Sequence, residues 1–266
     1  MNKTSQNEKT LDAYSPAKIA LLVDEIGVRK ANLTLMKTIV LGMLAGVFIA
    51  FGAMLYTLVI TDAALGYGLT KLIGGVAFSL GLILVVVAGA ELFTGNNLIV
   101  MAWANRDVTT RKLLKNWMVV YFSNFVGAVV TAIAMYWSGL LAQNDGLVGE
   151  TALMIATAKV EIGWLELFIR GAFCNTLVCL AVWLCIAAHD VAGKILAIVF
   201  PIAAFVALGF EHSVANMYFI PLGMLLSGGD ISSVDLFNNL VPVTLGNIIG
   251  GSVFVALVYW LVYLRK

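Results

Sequence analysis

Phe210-Glu211-His212-Ser213-Val214-Ala215-Asn216 sets a carboxylate, an imidazole, a hydroxyl and an amide side by side between two apolar runs. Neither Ile195–Phe210 before it nor Ser213–Gly229 after it contains a charged residue. Across all 266 residues, 61% are hydrophobic and 12% charged, with a formal net charge of +1. Soluble domains carry about 25% charged residues, so the chain reads as a membrane protein. Its near-zero net charge also argues against a nucleic-acid partner. At membrane depth an ionisable side chain is costly, so it marks a pathway or relay, or else pairs to lock the bundle. For Glu211 and His212 the residues alone leave both readings open.

Outward from this stretch, the apolar segments are long enough to cross a bilayer, which takes roughly 20 residues. Thr38–Thr61, Leu72–Ala90 and Asn116–Asn144 are uncharged, as are Gly171–His189 and Leu236–Leu264. With the interrupted segment around Glu211 they predict six spans in an all-α membrane protein. The three cysteines, Cys174, Cys179 and Cys185, share one uncharged segment and read as small apolar residues. Met1–Tyr14 reads as a polar tail, with no secretory signal in the polar first 33 residues. Ser15-Pro16 then reads as an N-cap with proline at the first helical position. Ile19, Leu22, Val23 and Ile26 follow at helical spacing, predicting an amphipathic helix at the interface or the cytoplasmic face. The expected division is residues 1–33 as tail and amphipathic helix, and 34–266 as the transmembrane domain.

Lysine and arginine orient the bundle. They cluster before the first span, between Arg106 and Lys115, at Lys194, and at Arg265-Lys266. The alternate connections hold Lys71 and Lys159 against Asp62, Asp145, Glu150, Glu161, Asp230 and Asp235. The positive-inside rule therefore puts both termini in the cytoplasm.

The two halves also repeat. Gly46-Val47-Phe48 pairs with Gly171-Ala172-Phe173, Glu91…Asn96 with Glu211…Asn216, and Asn124…Gly127 with Asn247…Gly250. Three spans per half reverse the chain direction, so the repeat is inverted, with the second helix of each half broken beside its acid. Such breaks at matching positions point to a binding site near the midplane, and non-helical backbone at that depth is tolerated where it lines a cavity. Thr94 and His212 then offer a hydroxyl and an N–H toward one point from opposite halves. The alternative for Thr94 is a back-bond to its own helix.

Several runs carry a resemblance. They are Phe78–Leu84 (FSLGLIL), Glu91–Thr94 (ELFT), Lys115–Trp117 (KNW) with Asn124, Val178–Trp183 (VCLAVW), Gly209–Met217 (GFEHSVANM) and Gly246–Gly251 (GNIIGG). In these the chain resembles the formate–nitrite transporter family, and within it the bacterial formate channels. The resemblance implies an aquaporin-like fold, assembled as a homopentamer in the bacterial cytoplasmic (inner) membrane, with a pore in each protomer. It implies a passage for small monovalent anions, formate first, with no cofactor or metal. His212 would be the central pore residue and a proton donor to the anion, facing Thr94. Asn175, Glu211 and Asn216 would be its polar support, Phe78, Leu82, Leu92 and Phe205 the constrictions, and Lys159 the attractor of anions in the outer vestibule. Thr94 is followed by Gly95-Asn96-Asn97 and the connection Ser227–Asp235 is short. Nitrite and hydrosulfide channels of the family share the His212 region, so either anion is the alternative substrate.

A rival of another class is an intramembrane enzyme using Glu211 and His212 as acid and base. It lacks a nucleophile or metal-ligand spacing, and the other histidine, His189, stands at a span end. The charge asymmetry makes a direct prediction about sidedness. A cysteine replacing Asn144 should react with an impermeant thiol reagent from outside intact cells, and one replacing Thr109 should not. The reverse pattern would overturn the orientation.

Overall fold

The structure, a computed structural model, describes residues 13–265. The tail expected over Met1–Tyr14 lies, but for its last two residues, outside them, as does Lys266.

Helix α1 (Pro16–Ala31) begins where Ser15 accepts a hydrogen bond from the Lys18 amide, with proline at the first turn. It buries Ile19, Ala20, Val23 and Gly27, and its apolar face packs into one cluster with Leu98–Ala102. The expected amphipathic helix is thus seated on the segment that follows the first break.

Helices α2 (Leu35–Ile60) and α3 (Tyr67–Ile83) follow. α3 runs on through a π-helical turn, Leu84–Gly89, and there it stops. Residues 90–94 are not helical; a 3-10 turn, Gly95–Ile99, and the short α4 (Val100–Ala104) resume the path. Next come α5 (Thr110–Trp137), α6 (Leu147–Val160) and α7 (Trp164–Ala187). Then α8 (Val191–Ala207) and α9 (Ser213–Leu226) are separated by the second break. α10 (Ser233–Ile248), a π-helical stretch Ile249–Leu257, and α11 (Val258–Tyr263) end the described chain. Among the described residues, five continuous helices are long and apolar enough to cross a membrane: Leu35–Ile60, Tyr67–Gly89, Thr110–Trp137, Trp164–Ala187 and Ser233–Tyr263. The segment expected as the fifth span is two shorter apolar helices, α8 and α9.

Each break turns on a glycine two residues before the acid. Gly89 has φ 91° and Gly209 φ 70°, a region where a Cβ is strained. The sequence reading missed α6 and took its residues for a connection. α6 buries Val148, Ala152 and Ala156, at i, i+4 and i+8, against α9. Small residues at that spacing allow close helix approach but give little apolar periodicity to read.

α2 packs on α5, and α7 on α10, through glycines that bring backbones together. A Cβ on Gly171 would lie 2.7 Å from the Val243 carbonyl oxygen, whereas at Gly68 nothing lies within 4 Å. Gly171→Ala is therefore expected to cost about 1–3 kcal/mol through overpacking. Gly68→Ala should be neutral or slightly stabilising, since alanine favours the helix. Thermal unfolding of both variants in detergent checks this; equal melting temperatures would show that α7 and α10 have room to part.

Candidate functional site

The two breaks are held by matching polar clusters. At the second, Glu211 is 4% exposed. Lys159 Nζ donates to both its oxygens, at 2.9 and 3.0 Å. Asn216 Nδ2 donates to Glu211 Oε2 and to Asn239 Oδ1, each at 2.7 Å, and Asn239 Nδ2 returns to the Lys159 carbonyl at 2.9 Å. At the first break, Lys30 Nζ donates to Glu91 Oε1 at 2.8 Å. Asn96 Nδ2 donates to Glu91 Oε2 at 2.7 Å and Asn116 Oδ1 at 2.9 Å, and Asn116 Nδ2 returns to the Lys30 carbonyl at 3.2 Å. A carboxylate this buried needs a cation and N–H donors to stay charged.

The backbone anchors match as well. The Glu91 amide donates to the Leu41 carbonyl and the Glu211 amide to that of Arg170. Asn124 Nδ2 donates to the carbonyls of Gly42 and Glu91, and its Oδ1 accepts from the Phe93 amide. Asn247 does the same with Gly171, Glu211 and the Ser213 amide. These contacts correct the first of the sequence pairings. Gly171 corresponds to Gly42, one helical turn before Gly46. That slip concealed Lys30, which stands as far before Gly42 as Lys159 does before Gly171.

His212 caps α9. Its Nδ1 accepts from the Ala215 amide at 3.1 Å, so the neutral ring carries its proton on Nε2. Nε2 lies 2.9 Å from Thr94 Oγ1, so in this tautomer the ring N–H donates to the Thr94 hydroxyl oxygen. Asn175 hydrogen-bonds neither Glu211 nor His212. Its Nδ2 instead binds the Thr94 carbonyl at 3.2 Å, Asn97 Oδ1 at 2.9 Å and the Asn247 carbonyl at 2.7 Å, tying the Thr94 loop to α10. The Cys179 thiol adds a bond to the same Thr94 carbonyl at 3.4 Å.

Phe205 stacks on the His212 ring, centroids 6.1 Å apart, and Phe78 meets Phe205 edge-on at 5.7 Å. Leu82 and Leu92 are buried in the same apolar cluster. A cavity of about 270 Å³ is lined by these two phenylalanines with Lys71, Lys159, Glu211 and His212. Thr94, fully buried, is not in that lining. His212 thus reaches the wall of a cavity that carries both charged and aromatic side chains, while its Nε2 is engaged by Thr94.

Residues 17–261 match the Formate/nitrite transporter family description. The chain belongs to that family. The resemblance read from the GFEHSVANM stretch and its companions is borne out. Among formate/nitrite transporters, the formate channel FocA of Escherichia coli strain K12 is 40% identical, over 97% of this chain and 98% of its own. A probable formate transporter of Methanothermobacter thermautotrophicus is 45% identical over 95% and 98%. A solved structure described as a pentameric formate channel with formate bound superposes with TM-score 0.80 at 40% identity, covering 87% of this chain and 98% of that one. A family ion channel at 31% identity gives TM-score 0.82 over 92% and 98%.

Lys30→Ala leaves Glu91 buried without its cation and is expected to cost about 3–5 kcal/mol. Adding Glu91→Gln to Lys30→Ala should recover most of that loss. Thermal unfolding in detergent measures both; a single variant as stable as the parent would show that the ion pair is dispensable.

Proposed function

We propose that the chain is a transmembrane channel for small monovalent anions, formate first. The observation that carries this is the likeness, over nearly the full length, to proteins named as formate channels. The pentameric, formate-bound neighbour supports a homopentamer of this chain with formate as its substrate. The family is one of transporters, so the acid–base pair of an intramembrane enzyme is not the role assigned to Glu211 and His212.

In this reading the chain forms six spans in two inverted, aquaporin-like halves, with α8 and α9 together making the fifth. The matched clusters around Glu91 and Glu211 favour it, because their contacts correspond in all but the lysine's second bond. Residues 1–33 form a cytoplasmic tail and amphipathic helix, and 34–266 the channel. The charge asymmetry supports cytoplasmic termini in a bacterial inner membrane.

An anion entering the cavity passes Lys159 and meets the aromatic pair Phe78–Phe205, with Leu82 and Leu92 completing the constrictions. A bare anion crosses an apolar ring at high cost, and the His212 Nε2–H, with Thr94 behind it, offers hydrogen bonds there. The bond to Thr94 can open so that the N–H donates to the anion instead. Glu211, Asn216 and Asn175 hold that geometry. Handing the anion a proton needs an imidazolium, and the ring becomes one only by protonation at Nδ1, which breaks the bond from the Ala215 amide. Hydrogen bonding and proton coupling therefore make different demands on one atom.

Flux of formate into proteoliposomes, with and without a pH gradient, tests this. The parent should carry formate, and His212→Phe, assembled normally, should reduce flux at least tenfold. Under proton coupling His212→Asn should lose the response to the gradient; under hydrogen bonding alone it should keep the parent's pH profile. A well-assembled His212→Phe with parental flux would remove His212 from the pathway. Nitrite or hydrosulfide flux far above formate would reassign the substrate.

A further inference from the structure

Lys159 is the lysine that sequence reading makes the anion attractor, yet its ammonium is fully engaged. Both Glu211 oxygens take it, and it sits 5.4 Å over the Phe219 ring. At any distance larger than the pair itself, Lys159 and Glu211 present almost no net charge. The attraction that fills the cavity must come from another group.

Lys71 is that group. It lines the same cavity and has no carboxylate partner among the described residues. Its Nζ donates to the Tyr56 hydroxyl oxygen at 3.2 Å and lies 5.9 Å from the Tyr56 ring and 6.0 Å from that of Tyr67. Two aromatic faces hold the ammonium without cancelling its charge. With the Tyr56 oxygen accepting from Lys71, the phenolic proton has no acceptor among the described residues. An ammonium and a free O–H donor thus stand side by side on the cavity wall.

Lys71 also shares a face of α3 with Phe78 and Leu82, at i, i+7 and i+11. A rise of 1.5 Å per residue puts it about 10 Å along the helix from Phe78, on the mouth side of the constriction. Arg170 lines the cavity too, in a loose 3.8 Å pair with Glu166 whose side chains are 40% and 64% exposed. Such an exposed pair is weak and easily exchanged.

We propose that Lys71 and the Tyr56 hydroxyl form an anion-receiving site ahead of the Phe78–Phe205 constriction, with Arg170 adding to its field and Lys159 serving mainly to hold Glu211. The ligand is a small monovalent oxyanion, bound by one ammonium and one phenol. The inference rests on the channel reading for its role in flux, but the site itself is testable without transport.

Two measurements separate them. The first is labelling of Lys71 in the parent by an impermeant amine-acylating reagent, followed by mass spectrometry. Added formate should slow that labelling, and should slow it less in Tyr56→Phe. The second is initial formate uptake against concentration. Lys71→Gln should raise the half-saturating concentration at least about threefold at low salt, in the range expected for loss of one steering charge. The saturated rate should stay the same, the gap should close when salt screens the field, and Lys71→Arg should behave like the parent. Unprotected labelling, or a Lys71→Gln half-saturation equal to the parent's at low salt, overturns the site. A lowered saturated rate with unchanged half-saturation would also overturn it, marking Lys71 as a packing residue. Protection without any formate flux would instead overturn the channel reading and leave the site standing.

Discussion

A carboxylate in an apolar bundle cannot stay charged unless its oxygens are met, and the rest of this structure depends on how that is done twice. Glu91 and Glu211 sit where a helix stops, 6% and 4% exposed. Each takes a lysine from a helix outside the long apolar set, α1 for Glu91 and α6 for Glu211. Each also takes an asparagine five residues on, which a second asparagine holds in place. The breaks free backbone groups, and Asn124 and Asn247 collect them. Remove the cation and the polar frame of a break loses its reason to stay buried.

The frame is matched, but what it displays is not. The residue after Glu91 is Leu92, an apolar side chain; the residue after Glu211 is His212. Thr94 has its counterpart in Val214. One half therefore contributes the imidazole and the other the hydroxyl, and they meet at 2.9 Å because the frames align them. The frames differ in the lysine's second bond, which Lys159 gives to Glu211 Oε2 at 3.0 Å and Lys30 gives to an asparagine. Asn96 Oδ1 accepts from Lys30 at 3.0 Å, while Asn216 Oδ1 is buried without a partner among the described residues. Buried orphan acceptors of this kind are costly, and this one lies in the cluster adjoining His212.

Charge is likewise divided by role. Lys30 and Lys159 are spent on structure, since each closes a buried pair. Lys71, held by aromatic rings, keeps its field. In the proposed division, Lys159 holds the second break and Lys71 receives the anion.

Much of this was legible in the residues. Five of the six expected spans appear as continuous helices whose ends lie within seven residues of the uncharged limits, because hydropathy and helix length are local properties. Both breaks were marked by Glu91 and Glu211, and the facing of Thr94 and His212 followed from their placement beside those breaks. The family could be read from short runs such as GFEHSVANM. What only the tertiary structure decided was partnership. Nothing in a list of positive residues distinguishes Lys30, which fills a buried pair, from Lys37, which does not. The helical stretch carrying Lys159 has too small a buried face to announce itself. The register of the first span of each half, shifted by one turn from the sequence pairing, is set by which carbonyls Asn124 and Asn247 reach across the bundle. Local pattern determines where an apolar helix can run and where it must stop; which charge closes on which depends on distances between residues far apart in the chain.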